Sequence, residues 1–124
     1  MAKTHMISIV DDDESVREST KALVRSLGYS ARTFSSAEEF LESEPGETNC
    51  LILDIQMGGL SGVELLERLI AEGRHTPVIF VTAFPDERVR NHVLDAGAIG
   101  FLRKPFSDAK LSRCLDMAFA NYPS

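Results

Sequence analysis

The stretch that decides the fold is MISIVDDD, residues 6–13, an apolar run that ends in three carboxylates. A second apolar run, residues 50–53, also ends in an acid, Asp54. Short runs of this kind are typical of strands that are buried in a parallel sheet. In open α/β sheets the functional crevice lies at the carboxyl ends of the strands. The sequence therefore predicts a crevice that contains Asp54 and the acids of residues 11–13.

Two further apolar runs add a hydroxyl and an amine to this crevice. Residues 78–82 end in Thr82, and residues 100–103 are followed by Lys104 and a proline. Carboxylates placed together repel one another unless a cation joins them. Mg²⁺ is a hard cation that prefers oxygen ligands, so the clustered acids point to a site for this ion.

Between these runs, the chain alternates strand and helix patterns about five times. Such alternation implies right-handed βαβ crossovers and a parallel sheet with helices on both faces, which is a three-layer α/β domain. The apolar spacing and the capping residues predict a helix over Glu14–Leu27, a strand over Tyr29–Phe34, a helix capped by Ser36, a turn-rich connector over 44–49, a helix from Ser61 or Gly62 that buries Val63, Leu66, Leu69 and Ile70, a helix from Asp86 to Ala96, and a last helix from Ser107 or Asp108 that reaches Tyr122.

Composition excludes several classes of function. A net charge of −6 argues against binding nucleic acid through phosphates. No apolar run is long enough to span a membrane, and residues 1–5 do not resemble a signal peptide. We therefore expect a soluble, cytoplasmic protein of one domain. Cys50 and Cys114 are interpreted as small buried apolar residues. The sequence also lacks a complete P-loop, a nucleophilic serine elbow and a zinc-ligand spacing.

Four motifs together resemble the receiver domain of two-component response regulators, most of all the FixJ/NarL type. They occur in order along almost the whole chain, and each follows a predicted strand. The motifs are Val10-Asp11-Asp12, Leu53-Asp54-Ile55-Gln56-Met57 with the following Leu60 to Leu66, Val81-Thr82-Ala83, and Lys104-Pro105-Phe106. The resemblance implies a flavodoxin-like (βα)5 fold with strand order 2-1-3-4-5.

The resemblance also implies a role for each residue of the crevice. Asp54 is the expected phosphoacceptor, and the expected phosphodonor is a sensor histidine kinase. Mg²⁺ is expected on Asp12, Asp54 and the backbone carbonyl of Gln56, with Asp11 assisting through a water molecule. Lys104 is expected to pair with Asp54 or the phosphoryl group.

The resemblance further implies a switch. Thr82 is expected to bind the phosphoryl group, and Phe101 is expected to rotate into the space that Thr82 leaves. This movement would remodel the face of helix 4, strand 5 and helix 5 for dimerisation or target binding. We therefore expect a homodimer promoted by phosphorylation, in a signalling switch rather than a metabolic enzyme. Asp13 is interpreted as a helix cap rather than a ligand.

The chain departs from the family pattern in the loop after Asp54. The family often has Met-Pro there, whereas Met57 is followed here by Gly58-Gly59. Two glycines in place of a proline predict a more mobile loop and weaker preorganisation of the Mg²⁺ site. Phe84, two residues after Thr82, has two interpretations: it packs over the phosphate, or it is a loop residue without that role.

Two other classes of function fit the motifs less well. A phosphohydrolase that works through an aspartyl phosphate usually has a second acid two residues after its nucleophile, where this chain has Gln56, and also a cap domain. A degenerate receiver that only binds partners would not need the complete set of acids, hydroxyl and lysine. We expect one receiver domain over residues 1–124 with no output domain in this chain. The sequence leaves open the cognate kinase, the stimulus and whether an output domain follows Ser124.

Overall fold

The predicted alternation of strands and helices is present throughout the described part of the chain. The computed structural model describes residues 5–43 and 48–121. The elements are β1 (Met6–Val10), α1 (Glu14–Ser26), β2 (Ser30–Phe34), α2 (Ala37–Glu42), β3 (Cys50–Asp54), α3 (Gly62–Ala71), β4 (Val78–Thr82), α4 (Glu87–Asp95), β5 (Gly100–Arg103) and α5 (Asp108–Asn121).

The five strands form one parallel sheet in the order β2-β1-β3-β4-β5. This order confirms the expected flavodoxin-like arrangement. The register pairs Val10 with Leu53, Asp54 with Val81, and Thr82 with Arg103. Because all strands run in the same direction, their carboxyl ends meet at one edge of the sheet. The polar residues that end or directly follow β1, β3, β4 and β5 therefore share that edge.

Alternate residues of each strand face opposite sides of the sheet, which gives the protein two apolar layers. On β3, Leu51 and Leu53 pack in the layer that contains residues of α2, α3 and α4. Cys50 and Ile52 pack in the other layer, with residues of α1 and α5. Burial on both faces explains why β3 reads as a continuous apolar run. The carboxyl edge is thus supported by a sheet with a packed apolar layer on each face.

The predicted capping residues begin the helices. Asp13, Ser36 and Asp86 each accept a hydrogen bond from an amide of the first helical turn. Ser61 forms a complete capping box with Glu64, and Ser107 accepts a hydrogen bond from the amide of Lys110. The interpretation of Asp13 as a cap is therefore confirmed. Each cap satisfies an amide that the helix itself leaves unpaired.

Several predicted boundaries and core residues were wrong. Helix α1 ends at Ser26, and Leu27 is a partly exposed C-cap. The amide of Tyr29 bonds to the carbonyl of Val24, so β2 begins one residue later than predicted. The buried stripe of α3 is centred on Leu65 and Leu69. Ile70 was predicted to be buried but is 48% exposed, because it follows Leu69 directly and its side chain points about 100° further around the helix.

Some predictions lie wholly or partly outside the described residues. They are the turn-rich connector predicted over 44–49, of which residues 44–47 are not described, and the predicted end of the last helix at Tyr122.

Cys50 is buried and Cys114 is half-buried, and both are free thiols. Among the described residues, none of the helices has the length and apolar character needed to cross a membrane.

Candidate functional site

Two buried acids and one exposed acid converge at the carboxyl edge of the sheet. Asp11, directly after β1, is 1% exposed, and Asp54, the last residue of β3, is 4% exposed. Asp12 is exposed to solvent. One carboxylate oxygen from each of the three lies within 4.8 Å of the others. The strands thus bring together three of the four acids that the sequence placed in one crevice, and the fourth, Asp13, caps α1.

Lys104 lies between the two buried carboxylates. Its Nζ is 2.7 Å from Oδ2 of Asp11 and 3.3 Å from Oδ2 of Asp54. The lysine follows β5, and its backbone amide donates to the carbonyl of Thr82 at 2.8 Å. One ammonium therefore pairs with two buried carboxylates, and the nearby carboxylate of Asp12 leaves the cluster with an excess of negative charge.

Each buried carboxylate is oriented by the backbone that follows it. Oδ1 of Asp11 accepts a hydrogen bond from the amide of Asp13 at 2.9 Å. Oδ1 of Asp54 accepts one from the amide of Gln56 at 3.1 Å. In both residues the other oxygen, Oδ2, is directed to Lys104. The two acids are therefore held in the same manner, although they come from different strands.

The environment changes the protonation of the central acid and of the lysine. Burial and the charge of Asp11 raise the pKa of Asp54 to about 6, although Lys104 opposes this effect. Burial of Lys104 by itself would lower its pKa, but the hydrogen bond to Asp11 and the charges of both acids raise it. The lysine is therefore a cation at neutral pH, and the ionised form of Asp54 is electrostatically costly without a further cation.

Helix α3 begins in close contact with the end of β3. A Cβ atom on Gly62 would lie 2.4 Å from the carbonyl oxygen of Asp54. The amide of Gly62 also donates to the carbonyl of Ile55 at 3.1 Å. Only glycine allows this approach, so Gly62 fixes the path of the loop that carries Gln56.

The residues expected to form the switch lie beside the acids. Thr82 is buried, and its Oγ1 accepts a hydrogen bond from the amide of Phe84 at 3.1 Å. Phe101 is half-buried and lines a cavity of about 340 Å³ together with Gln56 and Val89. Phe84 lines the same cavity, but its side chain is 72% exposed. The structure thus shows an exposed Phe84 rather than one packed over the crevice.

Sequence reasoning missed two contacts of Asp11. The first is the short ion pair with Lys104, which the resemblance assigned to Asp54 or the phosphoryl group. The second is made by Arg17 of α1, whose Nη1 donates to the carbonyl of Asp11 at 2.8 Å. Arg17 lies one helical turn after Asp13 and gives no signal in the sequence, because its role depends on how α1 returns over the sheet.

Residues 7–116 match the response regulator receiver domain family. The chain belongs to this family, and it is a receiver domain of two-component signal transduction. The transcriptional regulatory protein FixJ of Bradyrhizobium diazoefficiens is 34% identical over 90% of this chain and 55% of its own length. FixJ of Azorhizobium caulinodans is 38% identical over 90% of this chain and 53% of its own length.

Solved structures agree with this assignment. The crystal structure of FixJ-N is 31% identical, covers 99% of both chains and has a TM-score of 0.88. The response regulator StyR is 39% identical over 96% of this chain and 61% of its own, also with a TM-score of 0.88. The chain spans about half the length of the curated relatives it matches. The predicted family, fold and general function are therefore confirmed.

Proposed function

We propose that Asp54 accepts a phosphoryl group from the phosphohistidine of a sensor histidine kinase. The observation that carries this proposal is the convergence of Asp54, Asp11 and Lys104 from three different strands. In the transfer, a carboxylate oxygen of Asp54 attacks the phosphorus, a P–O bond forms, and the P–N bond to the imidazole breaks. The departing imidazole takes up a proton and leaves as a neutral ring. The product is an aspartyl phosphate.

The residues at this edge fit a divalent cation. Oδ2 of Asp11 is buried and, among the described residues, its partner is the ammonium of Lys104 at 2.7 Å. The three carboxylates carry more negative charge than one ammonium can neutralise. Asp12, Asp54 and the carbonyl of Gln56 would hold Mg²⁺, with Asp11 assisting through water. The bound ion would offset charge on the phosphoryl oxygens.

Lys104 and Thr82 have distinct tasks in this proposal. The ammonium of Lys104 is a compact charge on a flexible stem, so it can follow the phosphoryl oxygens when Asp54 is modified. The hydroxyl of Thr82 gives up its contact with the amide of Phe84 and donates to a phosphoryl oxygen. Both contacts differ between the unmodified and modified states, as a switch requires. The domain thereby assists its own phosphorylation and slow dephosphorylation.

The proposed output is a change of surface. The inward movement of Thr82 opens space for Phe101, which already borders the cavity beside β5. The face formed by α4, β5 and α5 then supports a homodimer. This domain itself does not bind nucleic acid, since its charge is −6. We propose that it works in the cytoplasm and that the remodelled face controls an output, as the transcriptional regulators among its relatives suggest.

The chemistry can be tested with acetyl phosphate as a small phosphodonor. Incubated with Mg²⁺, the protein is expected to gain one phosphoryl group that is stable in acid and labile to base and hydroxylamine, which are properties of an acyl phosphate. Intact-mass measurement before and after hydroxylamine treatment reads out both features. Chelation of the metal with EDTA should suppress the labelling. A label that resists hydroxylamine would indicate a serine or threonine ester and contradict the proposal.

The switch is tested separately with beryllofluoride, whose beryllium and fluorine atoms stand in for the phosphoryl group on Asp54. The loaded protein is expected to sediment as a larger species with increasing concentration, whereas the unloaded protein stays monomeric. Thr82→Ala should still bind beryllofluoride but associate much less, because the hydroxyl contact that draws residue 82 inward is lost. Serine at position 82 keeps the hydroxyl and is the matched control. Monomeric sedimentation of a fully loaded protein at high concentration would exclude the dimer.

A further inference from the structure

The loop between β3 and α3 has few internal restraints. Among the described residues, the amides of Met57, Gly58 and Gly59 donate no hydrogen bond. The loop is fixed at its start, where the amide of Gln56 donates to Asp54. Gly58 and Gly59 then allow a wide range of backbone angles, and Gly59 has φ of +78°. The far end of the loop is closed by the amide of Gly62, which donates to the carbonyl of Ile55 at 3.1 Å. Between these two contacts, a further restraint is needed after the glycines if the Gln56 carbonyl is to stay in place.

That restraint comes from another part of the chain. Glu38, in the first turn of α2, accepts a hydrogen bond from the amide of Leu60 at 2.9 Å through its Oε2. Helix α2 is held to the core by Ala37 and Phe40, which are buried. The contact joins residues 22 positions apart in sequence. Glu38 thus anchors the distal side of the diglycine to a helix that is itself packed on the sheet.

Gly59 leaves room for this contact because it has no side chain. A Cβ atom at position 59 would lie 2.7 Å from Oε2 of Glu38, which is the oxygen that accepts the hydrogen bond from Leu60. Gly58, in contrast, has open space where a Cβ atom would lie. Any larger residue at 59 must therefore displace the Glu38 carboxylate. The glutamate and the second glycine form one matched unit.

We propose that Glu38 is a positioning residue that holds the β3–α3 loop, and with it the Gln56 carbonyl, in the arrangement that binds the divalent cation. Its side chain accepts a hydrogen bond from the Leu60 amide. This contact restrains a loop whose backbone is otherwise flexible at Gly58-Gly59. The inference rests on the proposed cation site, but it does not require that Asp54 is the phosphoacceptor. Loss of this restraint weakens cation binding because the loop must first be ordered at an entropic cost.

The test compares Glu38→Ala with Glu38→Gln, since both remove the charge but only glutamine keeps an oxygen acceptor. Mg²⁺ affinity is measured by titration of backbone amide NMR signals, with MgCl₂ as the only added ligand. Glu38→Ala is expected to weaken Mg²⁺ binding by about tenfold, as is common for residues that orient metal ligands. Glu38→Gln should recover most of the affinity. Glu42→Ala removes an exposed charge from the same helix and should leave the affinity unchanged.

Two further readouts separate positioning from a general loss of stability. In the metal-free protein, hydrogen exchange of the Leu60 amide should accelerate in Glu38→Ala and remain slow in Glu38→Gln. Gly59→Ala alone should weaken Mg²⁺ binding. In a protein that already contains Glu38→Ala, the same substitution should weaken binding by a smaller factor, because both changes break the same contact.

The outcomes distinguish this inference from the proposed function. A wild-type protein that binds no Mg²⁺ would overturn the cation site and the inference together. If the wild type binds Mg²⁺ and Glu38→Ala binds it equally well, only the positioning role is overturned. Equal losses in Glu38→Ala and Glu38→Gln would assign the effect to charge and would also overturn it. Recovery of the Mg²⁺ affinity in Glu38→Gln, together with slow hydrogen exchange of its Leu60 amide, supports the proposal.

Discussion

Replacement of Asp54 by asparagine is expected to abolish phosphorylation by acetyl phosphate. The amide has no negative oxygen to attack phosphorus, so the rate of labelling should fall by at least about a hundredfold. Mass spectrometry of the intact protein, followed by mapping of the labelled peptide, measures this directly. Asp13→Asn is the matched control, because Asp13 caps α1 and asparagine caps helices about as well. Its labelling should match that of the wild type.

The Asp54→Asn variant should also fold. Burial and Asp11 raise the pKa of Asp54 to about 6 in the metal-free protein, above its unfolded value. A raised carboxyl pKa favours folding only at low pH, and that contribution is lost as the pH rises through about 6. Above that pH the buried, ionised carboxylate of Asp54 destabilises the metal-free fold. Asp54→Asn should therefore be at least as stable as the wild type in the metal-free state at pH 7.5. Undiminished labelling of the folded variant would refute Asp54 as the acceptor.

Mg²⁺ is expected to stabilise the fold, and Asp12→Ala is expected to remove most of this effect. A ligand that binds only the native state adds about 2.7 kcal/mol at a hundredfold excess over its Kd. Asp12 is exposed, so its loss should not disturb the core. Asp13→Ala should instead lower the free energy of unfolding by about 1 kcal/mol at every Mg²⁺ concentration, through the lost cap. Urea unfolding across a Mg²⁺ series measures both variants.

These two variants test the alignment of the acidic run. Asp11, Asp12 and Asp13 are consecutive in sequence, but the structure gives them a buried carboxylate, an exposed carboxylate and a helix cap. If Asp13→Ala abolished the Mg²⁺ dependence and Asp12→Ala did not, the proposed ligand set would be displaced by one residue. If Mg²⁺ stabilised neither the wild type nor any variant, the cation site itself would be refuted.

The family and the polar residues at the carboxyl edge of the sheet could be predicted from the sequence, because these residues follow strong local signals. The acids at 11–13 and Asp54 follow apolar runs of strand length, and parallel strands must place their carboxyl ends together. Helix starts could also be predicted, since Asp13, Ser36 and Ser61 each accept a hydrogen bond from an amide in the first turn of the helix that they cap. Helix ends and faces were harder to predict: α1 ends one residue before the predicted Leu27, and Ile70, which was predicted to be buried, is exposed.

The sequence by itself determined the sheet, its order through the family resemblance, and the set of polar residues at its edge. It did so because periodicity, capping and strand-end chemistry are local in the chain. Only the tertiary structure decided that Lys104 lies closer to Asp11 than to Asp54, and that Glu38 reaches Leu60. Contacts between residues distant in sequence depend on how helices pack on the sheet, to within an ångström, and no local pattern encodes that distance.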